Sequence, residues 1–263
     1  MTNKYDVISV GAGPAGIFNA YELNNLDPNL KILLVDKGLD IFNRKCPILE
    51  KKITKCPINK EGVSGCYPAC SITNGFGGAG AYSDGKFNVT SEFGGWMTEY
   101  LDKNTVEDLI HYVDAINLKH GATPKITDPT TAKVKEIEKR ALAKGLKLLR
   151  AKVRHLGTED NLNILKDISR HLSDKIDMLY KTEVEDIIVE NGFVKGIVVP
   201  DRTIFANKVF IAPGRDGSSW LSKITKKYNI PQTSNQVDIG VRVETNDELM
   251  EEINENLYEG KFI

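Results

Sequence analysis

The sequence lacks an excess of charge of either sign, and it lacks a long apolar run. Its 263 residues carry 35 Lys and Arg against 36 Asp and Glu, a formal net charge of −1. This balance gives no electrostatic reason to expect nucleic acid or an anionic membrane surface as a partner. No apolar run approaches the roughly 20 residues of a membrane span, and the first residues show no secretory signal pattern. We therefore expect a cytoplasmic protein without a membrane span.

Cysteine is also absent from most of the chain. The four cysteines, Cys46, Cys56, Cys66 and Cys70, all lie in one short segment, with the spacing C-x9-C-x9-C-x3-C. In a cytoplasmic protein such clustering favours thiols or metal ligands over disulfides, so ligation of zinc or an iron–sulfur cluster is one hypothesis. The spacing matches no standard zinc-finger or ferredoxin pattern. A loop of buried or redox-active thiols is the alternative.

The clearest pattern lies at the start of the chain. The apolar run Val7–Val10 leads into the glycine turn Gly11-Ala12-Gly13-Pro14-Ala15-Gly16, a helical pattern follows, and a second apolar run, Ile32–Val35, ends at Asp36. A strand, a glycine turn, a helix and a second strand in this order indicate a βαβ unit that binds a dinucleotide. The alternative is a glycine-rich turn in an α/β protein of another kind.

Each residue of this turn has a physical task. Gly11 permits the tight turn, Gly13 lets backbone approach a pyrophosphate, and Gly16 lets the helix pack closely on the strand. Pro14 suits the first helical turn, where the free N–H groups, including that of Ala15, favour a phosphate. Asp36 can accept a hydrogen bond from a ribose hydroxyl. Lys37 follows it directly, and Arg44 lies at a distance from which it could reach the pyrophosphate.

Two further glycine segments interrupt the chain. The stretch Gly75–Gly80 has four glycines in six residues, and aromatic residues lie between and after them. This composition indicates a loop that contacts the flavin of a flavoprotein rather than a flexible linker. The apolar strand pattern Val209–Ala212 runs into another glycine turn, Pro213–Gly217. Ligands of open α/β sheets bind where such strands end.

The remaining elements are read from hydrophobic periodicity. We predict one helix with Asn104 as its N-cap that ends before Gly121, a second that begins at Asp128-Pro129 and stops at Gly145, and a third that carries Leu162 to Leu172. Short strands are predicted over 146–149, 177–181, 187–189 and 194–199, with a type I′ turn at Asn191-Gly192. Residues 237–244 alternate with period two and predict a further strand.

With these residues in view, the chain resembles the two-dinucleotide-fold flavoproteins. It is most similar to a family of uncharacterised FAD-dependent dehydrogenases that are distant relatives of the geranylgeranyl reductases. The resemblance rests on GAGPAG at 11–16, ITNGFGGAGAYSDGKFN at 72–88, VRHLGTE at 153–159, VFIAPGRDGSSWL at 209–221 and VDIGVRVE at 237–244. It implies an α/β fold with a Rossmann-like FAD-binding domain over residues 1–216, carrying a cysteine-bearing insertion at about 40–100 and a helical insertion at about 101–175.

The resemblance also implies roles for individual residues. Gly11, Gly13, Gly16 and Asp36 would hold the ADP half of FAD, and the backbone of Val184 would pair with adenine. Residues on the flavin side would be Gly77, Gly78, Gly80 and Ser83, and Gly214 would close on the ribityl chain and pyrophosphate. For contacts to substrate or to the flavin edge the candidates are Lys86, Arg154, His155 and Arg242, with structural ion pairs as the alternative.

Members of that family continue past the length of this sequence. We therefore expect residues 217–263 to begin an incomplete substrate domain, and a chain of this length to bind FAD weakly and to associate. The predicted function is FAD-dependent oxidoreduction of a small-molecule substrate, with NAD(P)H as a candidate electron donor or another protein as electron-transfer partner. Two alternatives stay open. One is a non-enzymatic or regulatory fragment whose cysteine segment binds metal. The other is an NAD(P)-dependent reductase without flavin, which is weakened because such an enzyme would not require the glycine turns at 75–85 and 212–217.

Overall fold

The structure, a computed structural model, describes residues 4–58, 65–234, 237 and 239–263. The chain forms two compact units. The first unit comprises Met1–Ser83 and Asn161–Thr233, and the second unit comprises Asp84–Asp160 and Ser234–Ile263.

The first unit begins with the predicted βαβ arrangement. Strand β1 (Lys4–Val10) is followed by helix α1 (Pro14–Leu26) and strand β2 (Ile32–Val35), and β1 pairs with β2 in parallel. Pro14 occupies the first turn of α1, and the face of α1 that carries Ile17, Ala20 and Tyr21 is buried. The local sequence signals of this segment are therefore confirmed as structure.

A six-stranded sheet organises the rest of the first unit. The additional strands are β6 (Asp177–Leu179), β7 (Asp186–Glu190), β8 (Phe193–Val199) and β9 (Arg202–Ile211), and the strand order is β6-β2-β1-β9-β8-β7. The strands β6, β2, β1 and β9 pair in parallel, whereas β7, β8 and β9 pair antiparallel. Asn191 and Gly192 have φ values of 52° and 78°, as a type I′ hairpin requires.

The core of the first unit lies along the parallel strands. All four residues of β2 are buried, and Ile8 on β1, Ala206 on β9 and Ile197 on β8 are fully buried as well. An unbroken apolar strand of this kind is typical of a parallel sheet covered on both faces. The other helices that contribute to this unit are α4 (Gly157–Ser173) and α5 (Ser218–Lys227).

The second unit is built from two short two-stranded antiparallel sheets and three α-helices in its described part. Strand β3 (Lys86–Val89) pairs antiparallel with β5 (Lys152–His155), and β4 (Leu148–Leu149) pairs antiparallel with β10 (Lys261–Phe262). Its helices are α2 (Lys103–Lys119), α3 (Ala132–Leu142) and α6 (Asp247–Leu257). A small core of Val134, Ile137, Leu148 and Leu257 joins α3, β4 and α6.

Two predicted helix starts need correction. The N-cap of α2 is Asp102, whose carboxylate accepts a hydrogen bond from the Thr105 amide at 3.0 Å, rather than Asn104. Helix α3 starts after Thr131 instead of at Asp128-Pro129. The Asp128 carboxylate accepts from the Thr130 amide at 2.8 Å, so it stabilises a turn of its own in front of the helix.

The strand predicted over 237–244 is wrong for the described part of that segment. Residues 237 and 239–244 are irregular and pair with no strand, and Asp238 lies outside the described residues. Val237, Ile239, Val241 and Val243 are each more than four-fifths exposed. An alternating pattern becomes a strand only when a neighbouring strand and an apolar layer receive it, and the described residues offer neither there.

None of the helices within the described part of the chain is long and apolar enough to cross a membrane.

Candidate functional site

The first glycine turn is shaped by close backbone contacts on two of its glycines. A Cβ on Gly11, whose φ is +98°, would lie 2.1 Å from the carbonyl oxygen of Ala212, and a Cβ on Gly16 would lie 1.8 Å from the carbonyl oxygen of Gly11. Gly13 differs, because its φ is −75° and a Cβ built on it has no heavy atom within 4 Å. The turn is therefore packed on one side and open at Gly13.

The open side faces the start of α1. Gly13 is the N-cap of this helix and supplies no side-chain capping bond, and the first turn contains no acidic residue. The first N–H groups of a helix lack partners within the helix, and together with the helix dipole they favour an anion. Backbone amides, a favourable dipole and free space thus coincide in front of Gly13.

The Asp36 carboxylate holds the glycine segments together. It accepts hydrogen bonds from the backbone amides of Ala12 at 2.7 Å, Gly38 at 2.7 Å and Gly75 at 3.0 Å. A carboxylate offers about four acceptor positions. The three backbone amides use three of them, so one is left for a further donor such as a hydroxyl. Asp36 consequently has a structural role that the sequence pattern did not predict.

The second glycine loop, Gly75–Gly80, lies directly against the first glycine turn, Gly11–Gly16. The amide of Gly77 donates to the carbonyl of Ala12 at 2.8 Å, and a Cβ on Gly78 would approach Cα of Gly13 to 3.1 Å. Positive φ values of 89° at Gly77 and 57° at Gly78 explain why the sequence has glycine at both positions. At Gly80 a Cβ would meet nothing within 4 Å, as at Gly13.

Further polar contacts fix the end of this loop. The carbonyl of Gly80 accepts hydrogen bonds from the Ser83 hydroxyl at 2.7 Å and from the Asn161 side-chain amide at 2.8 Å. The predicted flavin-side residues Gly77, Gly78, Gly80 and Ser83 therefore belong to one contiguous structure that lies against Gly13.

Arg44 donates hydrogen bonds to the same loop and to the backbone just before it. Only 3% of its surface is exposed. Its Nε donates to the carbonyl of Ser71 at 2.9 Å, Nη1 to that of Phe76 at 2.6 Å and Nη2 to that of Ile72 at 2.9 Å. Burial lowers the pKa of the Arg44 guanidinium from its ordinary value. The sequence suggested that Arg44 reaches a pyrophosphate, but the structure directs its donors to the loop backbone.

A pocket opens at the carboxyl ends of β1 and β2. It contains the predicted residues Gly11, Asp36, Lys37 and Val184, whereas Gly214 lies between two of its lining residues without lining it. The full lining consists of Val10, Gly11, Val35, Asp36, Lys37, Asn74, Thr182, Glu183, Val184, Pro213, Asp216, Gly217 and Trp220.

Several lining residues were not predicted from the sequence, among them Trp220, Asp216 and Asn74. Trp220, on the first turn of α5, lines the pocket and its indole Nε1 donates to the carbonyl of Glu185 at 2.9 Å. Asp216 forms an ion pair with Lys37, and Asn74 lies just before the second glycine loop. The only available signal was position, since Asp216 lies within the glycine turn that follows β9 and Trp220 comes shortly after that turn.

The candidates for substrate contact all lie in the second unit. Lys86 on β3 is paired with His155 on β5 in the strand register, so the structure brings these two together. The Lys86 ammonium forms an ion pair with Glu259, and the His155 ring lies 4.2 Å from the Tyr258 ring between centroids. Arg242 is exposed in an irregular segment and forms an ion pair with Glu244 at 3.3 Å.

Arg154 is the exception because it is buried. Only 4% of its surface is exposed, and its Nε and Nη2 each donate to the Asp114 carboxylate at 2.7 Å. Its Nη1 donates to the carbonyl of Thr123 at 2.5 Å. Hydrogen bonding to Asp114 raises the pKa of the Arg154 guanidinium. The structure thus places Arg154 in an internal ion pair, the alternative that the sequence left open.

The cysteine segment shows no metal centre in the part of the chain that the structure describes. Cys46, Cys56, Cys66 and Cys70 form no disulfide among the described residues. Among the described residues, no three His, Cys, Asp or Glu side chains are grouped as metal ligands. Burial and the neighbouring thiols, Cys66 first, raise the pKa of the Cys56 thiol. The hypothesis of zinc or iron–sulfur ligation is therefore not supported.

No protein-family model matches the chain, and no curated protein matches it. Solved structures do match. An L-amino acid deaminase from Proteus vulgaris is 13% identical with a TM-score of 0.45, over 81% of this chain and 48% of that chain. A glycine oxidase from Bacillus cereus is 16% identical with a TM-score of 0.46, over 86% of this chain and 60% of that chain.

A third match is a glycerol-3-phosphate dehydrogenase from Bacillus halodurans that was solved in complex with FAD. It is 17% identical with a TM-score of 0.42, over 86% of this chain and 36% of that chain. The chain therefore spans between about a third and three-fifths of the length of these three proteins. Similarity at this level does not define an activity.

Proposed function

We propose that the first unit binds FAD and that the chain acts as an FAD-dependent oxidoreductase on a small-molecule substrate. The observation that carries the proposal is the open space at Gly13, which is bordered by the uncapped start of α1 on one side and the second glycine loop on the other. A dinucleotide requires such a place for its pyrophosphate.

The residues around Gly13 fit the two halves of the cofactor. Gly11, two residues before Gly13, lines the pocket at the ends of β1 and β2, and Gly78 contacts Gly13 from the second loop. A pyrophosphate over Gly13 would therefore place the adenosine half in the pocket and the flavin half toward Gly78 and Gly80. The remaining acceptor position of Asp36 would receive a ribose hydroxyl.

Two lining residues of the pocket offer an apolar and an aromatic contact for adenine. Val184 and Trp220 both line it, and the indole is held in place by its hydrogen bond to the carbonyl of Glu185. An indole fixed in this way presents an aromatic surface to a base. The Lys37–Asp216 ion pair stands among the same lining residues.

When bound, the flavin supplies the hydride or electron transfer, which is chemistry of the cofactor itself. The chain would position the cofactor and supply the electrostatic environment around it. The amides at the start of α1 would neutralise pyrophosphate charge, Asp36 would fix the ribose, and Arg44 holds the second glycine loop in the conformation that contacts Gly13. The contribution of Lys86, His155 and Arg242 to substrate binding is part of this proposal.

The experiment is a titration of the chain with FAD, FMN and NAD, followed by tryptophan fluorescence. The sequence has two tryptophans, Trp96 and Trp220, so a Trp96→Phe background leaves Trp220 in the pocket as the reporter. We expect FAD to quench Trp220 and to bind at least about tenfold more tightly than FMN, which lacks the adenosine half, and more tightly than NAD. Equal affinity for FMN and FAD, or preference for NAD, would contradict the proposal.

A further inference from the structure

A backbone contact within the cysteine segment brings two of the four cysteines together. The amide of Gly65 donates a hydrogen bond to the carbonyl of Pro57. A Cβ on Gly65 would lie 2.6 Å from that carbonyl oxygen, so the close approach requires glycine at this position. Cys56 comes directly before Pro57, and Cys66 comes directly after Gly65. Each cysteine is therefore the neighbour of one end of this hydrogen bond.

The spacing of the contact shows how the two cysteines are arranged. Only eight positions separate Pro57 from Gly65, whereas a parallel pair needs a connection of about a dozen residues or more. The two segments therefore meet in antiparallel directions. In such a pair the residues beside a hydrogen-bonded position face each other, with Cα atoms about 4.5 Å apart and side chains on one face. A disulfide needs a Cα separation of about 4.4–6.8 Å, which this arrangement of Cys56 and Cys66 provides.

The interaction between the thiols agrees with this arrangement. Desolvation is the main reason why the pKa of the Cys56 thiol is raised, and among the neighbouring thiols Cys66 contributes most, ahead of Cys70 and Cys46. Because a coulombic interaction weakens with distance, this order makes Cys66 the nearest thiol to Cys56. Cys56 is exposed and Cys66 is half-buried, so a small molecule in solution reaches Cys56 first.

The other two cysteines are held differently. The carbonyl of Cys46 accepts from the Glu50 amide at 3.0 Å, and that of Cys70 accepts from the Asn74 amide at 2.9 Å, so each cysteine lies in a turn of its own. Among the described residues, no backbone hydrogen bond joins the two turns. They are connected through the side chain of Arg44, whose Nε donates to the carbonyl next to Cys70. Backbone contact thus favours the pair Cys56–Cys66 over the pair Cys46–Cys70.

We propose that Cys56 and Cys66 form a reversible disulfide by exchange with a low-molecular-weight disulfide. The exposed Cys56 thiol loses its proton to water, and its sulfur attacks one sulfur of the oxidant. The S–S bond of the oxidant breaks, and its first half leaves as a thiolate that takes up a proton. The Cys66 thiol then loses its proton, its sulfur attacks the Cys56 sulfur of the mixed disulfide, and the second half of the oxidant leaves in the same way.

This exchange balances without the flavin. The protein gives up two electrons and two protons, and these convert one molecule of the oxidant into two thiols. An excess of the same thiol drives both steps backwards. Exposed disulfides are the labile and regulatory ones, and neither Cys56 nor Cys66 lines the candidate FAD pocket. The pair is therefore a redox-modification site separate from that pocket.

The test is the exchange of the reduced whole chain with oxidised glutathione, followed by alkylation, digestion with trypsin and mass spectrometry. The buffer is held at about pH 8.5, the ordinary pKa of a thiol, because the pKa of Cys56 is raised. Trypsin places Cys46 in peptide 46–51, Cys56 in peptide 56–60, and Cys66 together with Cys70 in peptide 61–86.

We expect the cross-link between peptides 56–60 and 61–86 to exceed every other disulfide at least about tenfold. An excess of reduced glutathione should then remove it. Another dominant disulfide, glutathione adducts alone, four unreacted thiols, or a cross-link that reduced glutathione leaves in place would each overturn the proposal.

The sequence spacing supplies an internal control. Cys56 is ten positions from Cys46 and ten positions from Cys66, so the loop-closure entropy is the same for both pairs in an unfolded chain. Exchange in concentrated urea should therefore give the two disulfides in similar amounts, whereas the folded chain should prefer Cys66. A preference for Cys66 that persists in urea would contradict the role of the contact between Pro57 and Gly65.

Two single variants assign the cross-link to Cys66. Cys66→Ser is expected to abolish the cross-link to peptide 56–60 and to leave Cys56 with a glutathione adduct. Cys70→Ser makes the same chemical change four positions later in the same peptide and is expected to retain the cross-link. A cross-link that survives in Cys66→Ser would contradict the pairing, as would its loss in Cys70→Ser with an unchanged circular dichroism spectrum. None of these measurements requires bound FAD, so their outcome and that of the FAD titration are read separately.

Discussion

Replacement of Arg44 tests whether a buried guanidinium holds the second glycine loop against the first. Its three donor nitrogens satisfy the carbonyls of Ser71, Ile72 and Phe76. Hydrogen bonds from charged donors contribute about 1.5–3 kcal/mol each, and the acceptors that remain buried lose their partners. Because the contributions of hydrogen bonds made by one group do not add, we expect Arg44→Met to lower the free energy of unfolding by about 3–5 kcal/mol, less than the simple sum.

The assay is urea-induced unfolding followed by circular dichroism. Arg170→Met is the matched control, because Arg170 is an exposed arginine of the same unit and its replacement removes the same charge. We expect its effect to stay within about 0.5 kcal/mol. A loss below about 1 kcal/mol in Arg44→Met would refute the reasoning that this side chain organises the loop.

Arg44→Lys separates this role from direct binding of pyrophosphate. Lysine keeps the positive charge but lacks the planar fork that reaches three carbonyls at once. If the loop role is correct, Arg44→Lys loses most of the stability that Arg44→Met loses, and its FAD affinity falls because the loop shifts. Unchanged stability together with retained FAD affinity would instead indicate a point charge that faces the pyrophosphate.

Two further predictions concern the second unit. Arg154→Met leaves the buried Asp114 carboxylate unpaired and should lower the free energy of unfolding by about 3–5 kcal/mol. The double variant Arg154→Met/Asp114→Leu should recover most of that loss. Urea unfolding of both variants checks this, and a double variant without recovery would contradict a purely structural role of the ion pair. Hydrogen bonds from Arg140, and then from Lys133, lower the pKa of Glu252 from 4.5 to about 2. The stability that the ionised Glu252 contributes is therefore present above about pH 4.5 and lost as the pH falls toward 2. Glu252→Gln should flatten the decline of the urea midpoint between pH 6 and pH 3. An unaltered decline would refute the role of Glu252 and its two basic partners.

Local patterns predicted the first unit well because its signals are contained within short stretches. The order of β1, α1 and β2 follows from an apolar run, a glycine turn with Pro14 and a second apolar run. The hairpin at Asn191-Gly192 likewise depends on two residues that tolerate positive φ. These features need no knowledge of distant parts of the chain.

Nonlocal contacts were the part that the sequence could not supply. Strands β3 and β5 pair across more than 60 residues, and the partners of Arg44 and Arg154 lie far from them in the chain. A buried arginine and a ligand-binding arginine look alike in a sequence, because only the fold shows which acceptors surround the guanidinium. The alternation at 237–244 misled for the same reason, since a strand depends on a neighbour that periodicity does not reveal.

The measurement that tests the central claim most directly is the FAD dissociation constant of Gly13→Val. Because φ at Gly13 is −75° and a Cβ there meets no atom within 4 Å, the chain can accept the side chain while a bound pyrophosphate cannot. Gly95→Val is the control, since a Cβ at Gly95 also meets nothing within 4 Å and lies outside the site. We predict that Gly13→Val weakens FAD binding at least about a hundredfold with an unchanged circular dichroism spectrum, and that Gly95→Val leaves it unaltered. FAD affinity that survives in a folded Gly13→Val would contradict the account.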